Sequence, residues 1–146
     1  PTPPPTPPPT PPDISEITGT DINIVKTITI PKDTTNIHLE FWDNAVIDGD
    51  IIDVYIDANK VVSNETLRSR PIKHMINHGS LQQSQYRITM VALNEGSIPP
   101  NTALLVVRAF KNGNEYGNSR QEVNMSSYAV KQSNKGVSAS VILKMA

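Results

Sequence analysis

The sequence predicts an all-β chain: an antiparallel immunoglobulin-like β-sandwich of about eight or nine strands behind an extended polyproline II N-terminal tail. Three observations carry that expectation. From about residue 20 onward, apolar and polar residues alternate with period two. Gly, Asn, Asp and Pro punctuate these runs at the places where strands must turn. No apolar stripe of period 3.6 persists, so helix is expected for no more than a single turn.

Residues 1–12 read Pro-Thr-Pro-Pro three times, hold nine of the chain's 13 prolines, and space Thr2, Thr6 and Thr10 by four. Proline fixes φ and lacks an N–H, which excludes both helix and central strand. A polyproline II rod of about 37 Å follows, at about 3.1 Å per residue. Thr hydroxyls flanked by proline mark the segment as an O-glycosylated spacer, and its composition also suits a plain linker in a larger chain. The chain opens on Pro1 rather than Met, as a processed or partial chain does.

Residues 13–22 carry Ile14 and Ile17 and read as a strand-like connector. Such a segment extends the domain's own first strand or lies along the edge strand of the next subunit, adding main-chain hydrogen bonds. A heterologous head-to-tail contact that does not close builds a filament.

The domain itself is expected over residues 23–146. In 23–30, Ile24, Lys26, Ile28 and Ile30 share one parity. In 37–42, Ile37, Leu39 and Phe41 face the core, with His38, Glu40 and Trp42 opposite. In 51–57, Ile52, Val54 and Ile56 point inward and Asp53, Tyr55 and Asp57 outward. A tight turn at Asp57-Ala58-Asn59-Lys60 leads into Val61-Val62. Further strands are expected at 72–77, 85–93, 103–110, 120–125 and 138–145, with turns at 111–114 and 133–136.

Composition narrows the function. At 146 residues and 16.0 kDa there is room for one domain and a tail. A formal net charge of −1 gives no field to recruit nucleic acid or an anionic membrane. The absence of cysteine excludes disulfides, thiolate metal sites and Cys nucleophiles. The longest apolar run, residues 103–107, is far short of the roughly 20 that span a bilayer, so no transmembrane segment is expected.

Two motifs carry a resemblance. Trp42-Asp43-Asn44-Ala45-Val46-Ile47-Asp48-Gly49-Asp50 and Ala92-Leu93-Asn94-Glu95-Gly96-Ser97-Ile98-Pro99-Pro100-Asn101-Thr102-Ala103 are each followed by an apolar strand. Their order and separation resemble secreted β-sandwich modules of Bacteroidota surface proteins. Asp53 and Asp57 depart from the commoner pattern, in which a Ser/Thr and an Asn-Gly hairpin stand there. The resemblance implies a secreted, cell-surface β-sandwich rather than an activity. With its Pro/Thr tail, the chain also resembles subunits of glycosylated extracellular filaments.

Asp43, Asn44, Asp48, Asp50 and Asp53 concentrate hard oxygen ligands around one loop, as Ca²⁺ requires, although the spacing is not that of an EF-hand. The competing reading makes Asp48-Gly49 a turn, with Asp43 and Asn44 capping backbone N–H groups. No catalytic constellation is visible and the chain reads as a non-enzyme. His38, His74 and His78 are too scattered for a metal site in strands. Trp42, Tyr55, Tyr86, Tyr116 and Tyr128 suit core and edge packing better than a sugar platform.

Glycan acceptors are expected at Thr2, Thr6 and Thr10, at Thr34 in an Asp-Thr-Thr context, and at the sequons of Asn64 and Asn124. Subunit contacts are expected at Ile14, Ile17, Ile98, Pro99 and Pro100. Two readings follow. The first is a structural subunit that polymerises with copies of itself into a glycosylated extracellular filament. The second is a carbohydrate-binding or adhesin module on a linker.

Overall fold

The computed structural model describes residues 13–43, 49–94, 100–131 and 135–146 and shows an all-β chain of two stacked sheets. After a helical turn α1 (Ile14–Thr18), the chain forms β1 (Asp21–Ile30), β2 (Asn36–Asp43), β3 (Ile51–Ile56), β4 (Asn59–Thr66) and β5 (Ile72–Ile76). A second helical turn, α2 (His78–Leu81), leads to β6 (Gln85–Ala92), β7 (Asn101–Lys111), β8 (Asn114–Glu115), β9 (Gln121–Ser127) and β10 (Val137–Met145). The first sheet runs β1-β10-β6-β3-β4. The second runs β5-β2-β7, with β8 and β9 sharing the far side of β7. Pairing is antiparallel except between β1 and β10, the first and last strands, which are parallel.

The core lies where period two places it. Ile37, Leu39 and Phe41 from β2 meet Ile52 and Val54 from β3, all 0% exposed, across the sandwich. Leu105, Val107 and Ala109 of β7 complete the second sheet's inner face, and Ile88, Met90, Val141 and Leu143 complete the first. Each such side chain contributes about 1.5–3 kcal/mol of burial, which is what two sheets with one apolar face apiece need.

Three departures from the expected pattern have local causes. In β1 a bulge at Val25 shifts the register between Ile24 and Lys26. Parity therefore flips: Ile28 and Ile30 enter the core, while Ile22 packs on the outer face and Ile24 stays half exposed. β4 runs to Thr66, well beyond Val61-Val62, and carries two register shifts against β3. At one of them Asn64 adopts a left-handed φ of 55°, and its N–H donates to Asp53 Oδ1 at 2.7 Å.

The third departure is the connector. Residues 14–18 form a helical turn rather than a strand. Asp13 caps it by accepting from Ser15 N–H, and Gly19 ends it at φ 69°. Ile14 is buried on the outer face of the first sheet against Tyr55 and Val91. Hydroxyls line the same outer face: Thr20 pairs with Ser138 at 2.6 Å and Thr89 with Ser140 at 2.7 Å, so these buried polar groups are satisfied. Ile14 is consequently spent on its own domain. It is not the strand-like subunit contact expected from the sequence, and Ile17 remains 38% exposed beside it.

Candidate functional site

The two motifs meet in space at one end of the sandwich. Asn94, leaving β6, accepts from Ile51 N–H and donates to Gly49 C=O, each at 2.9 Å. Asn101, opening β7, donates from Nδ2 to Ile51 C=O and to Asn94 Oδ1, each at 3.2 Å. Asp50 closes the set. Its carboxylate accepts from Thr102 N–H at 3.4 Å, and its C=O accepts from Leu67 N–H at 2.8 Å. Residues more than 40 positions apart thus lock the entrances of β3 and β7 to the exit of β6. The described ends of the two motifs thus form one polar staple whose amides replace ladder bonds where strands end.

The proposed oxygen-ligand set is divided by this geometry. Asp50 belongs to the staple and is 2% exposed, and Asp43 pairs with Ala103 beside it. Asp53 lies on the outer face of the first sheet instead. Both its oxygens are committed, one to Asn64 N–H and the other to Lys60 Nζ at 3.2 Å. Its role is to hold the β3–β4 hairpin, and Lys60 is correspondingly held above its ordinary pKa, first by that hydrogen bond. Asn44 and Asp48 lie outside the described residues. Among the described residues, no three His, Asp or Glu side chains stand close enough to share one metal ion.

Thr34 is 3% exposed and its hydroxyl is buried. The folded domain therefore offers no glycan acceptor there, and the Asp-Thr-Thr expectation is corrected. Asn64, at the β4 bulge, and Asn124, on β9, are exposed. Thr2, Thr6, Thr10, Ile98 and Pro99 fall outside the described residues, while Pro100 is half-buried at the start of β7.

The aromatic side chains take separate duties. Tyr86 is fully buried, its hydroxyl 2.7 Å from His78 Nδ1, and desolvation pushes its phenol above the usual value. Tyr55 lies under α1, and Tyr116 donates to Asp33 beside Lys111. That pairing, the Tyr116 bond first, holds the Asp33 carboxyl below its ordinary range. On the outer face of the second sheet, His38 stacks on Phe110 at 4.1 Å, and Arg108 forks onto Glu115 at 2.7 and 2.8 Å.

A second feature lies at the seam where edge strands β4 and β5 leave the sandwich unclosed. A cleft of about 360 Å³ opens there, walled by Val61, Met75, Ile76 and Leu81 and rimmed by the amides of Asn59, Asn77 and Gln83. Met75 and Leu81 are 52% and 54% exposed. Burial of the His74 imidazole at its rim pulls that group below its ordinary value.

No helix among the described residues is long and apolar enough to cross a membrane. Comparison with protein-family models, with curated proteins and with solved structures finds no match to this chain.

Proposed function

We propose that the chain is a non-enzymatic structural subunit of an extracellular, glycosylated filament, with an immunoglobulin-like sandwich joined head-to-tail through the N-terminal segment. One observation carries the reading. A strictly periodic Pro-Thr-Pro-Pro arm runs into a domain that grips the arm's base, with Asp13 capping α1 and Ile14 buried under it. A clamped stiff arm transmits a fixed spacing, which a flexible tether does not. The tail threonines and the exposed Asn64 and Asn124 are the acceptors that this reading assigns to glycans.

Because α1 packs on its own sheet, the arm proper is residues 1–12. Deleting residues 1–12 leaves a folded domain that runs as a monomer in sedimentation, whereas the full chain forms ordered fibres in electron microscopy. Fibres that survive the deletion overturn the reading. An adhesin or carbohydrate-binding module predicts full-length monomers that are retained on a polysaccharide column.

A further inference from the structure

We infer that the seam between β4 and β5 is the receptor for the Pro-Thr-Pro-Pro arm of a second copy of this chain. The inference rests on the filament reading and adds the surface that receives the arm.

The chemistry of the two partners matches. A prolyl segment has carbonyl acceptors, no N–H at its prolines, apolar rings and no charge. The seam offers apolar walls in Val61, Met75, Ile76 and Leu81, with amide donors from Asn59 and Asn77 at its rim, the Gln83 amide being spent on Asp57 and on Gln85 C=O. Its one carboxylate, Asp57, is already bonded to Arg87 N–H and Gln83 Nε2, at 3.0 and 2.9 Å. Two register shifts in β4 spoil that edge for an incoming regular strand. A prolyl segment needs no such ladder, because it docks by ring packing and carbonyl acceptance. One polyproline II turn takes three residues, the length of Pro3–Pro5 and of Pro7–Pro9. The threonines between these stretches stay outside the cleft.

Geometry favours a second copy over the chain's own seam. The chain enters α1 over β3, one strand from the β4 edge, and crosses towards β10 and β1. To enter its own seam, a polyproline rod must bend sharply around β4 within a few residues, which fixed φ resists. A twelve-residue polyproline II segment is about 37 Å long, which is enough to reach a neighbouring copy.

The native chain contains no cysteine, so paired single-cysteine variants give a clean test. Full-length Thr6→Cys and full-length Ser80→Cys chains are mixed and treated with a short bismaleimide, Ser80 being an exposed residue that lines the cleft. A covalent heterodimer is expected, and adding Leu81→Asp to the acceptor lowers its yield about tenfold. A Thr27→Cys acceptor on β1 serves as control. Cross-linking equal to the control, in a protein that still forms fibres, overturns the seam and leaves the filament standing. A Thr6→Cys/Ser80→Cys double variant that closes only within one chain also overturns the seam as an intermolecular receptor. Monomers at every concentration, with no cross-link, overturn both readings.

Discussion

At Asp53 a carboxylate that sequence spacing groups with four other oxygen ligands instead spends both oxygens on its own hairpin. Replacing it with alanine leaves the Asn64 N–H without its partner and releases the half-exposed Lys60 ammonium to water, and about 1–3 kcal/mol of stability should be lost in urea denaturation. Asn101→Ala removes two staple bonds and carries a comparable cost. His74 gives a pH signature. Its folded pKa lies below the ordinary 6.5, so the unfolded chain takes up the proton first as pH falls. Stability should therefore decline as pH drops through about 6.5 and below, and His74→Gln should flatten that part of the urea-midpoint profile. Alternation alone does not reveal these roles. Asp53 is an outward-facing strand residue by parity, and only the bulge opposite it supplies its partner.

Among the elements, α1 shows how a short segment can read as one structure and fold as another. Ile14 and Ile17 are three apart, which suits a helical turn, but five residues give too little sequence to establish a period. The decisive cues are Asp13 as N-cap and Gly19 as C-cap. Ile14→Ala should cost roughly 2 kcal/mol and speed amide exchange in α1 before it affects the sheets. The turn before β10 is under a stricter constraint. Gly136 has φ 81°, and a Cβ there would stand 2.7 Å from Tyr128 C=O. Gly113, also at positive φ, faces open space. Gly136→Ala should therefore lower the melting temperature much more than Gly113→Ala, and differential scanning calorimetry of the pair checks this.

For the whole molecule, the question is how a sandwich with open edge strands avoids uncontrolled pairing. Both edges of the first sheet are bulged, β1 at Val25 and β4 at two places. Such irregularity blocks edge-to-edge strand addition. Deleting Val25 should regularise β1 and make the chain aggregate even without its arm. Light scattering from the chain lacking residues 1–12, with and without Val25, checks this, and the scattering should rise when Val25 is removed. If assembly runs through the prolyl arm and the seam, self-association is confined to one joint per copy.

Sequence alone determined the all-β class, the inner faces of β2 and β3, and the hairpin turn at Asn112-Gly113, because period two and positive-φ turn residues are local properties. It also marked two motifs as one kind of feature without showing why. Tertiary structure decided that Asn94, Asn101 and Asp50 form a single staple, that Asp53 holds its own hairpin, that Thr34 is buried, and that Ile14 closes onto its own sheet. Those outcomes depend on contacts across dozens of residues and on parity flips at bulges, which no local pattern encodes.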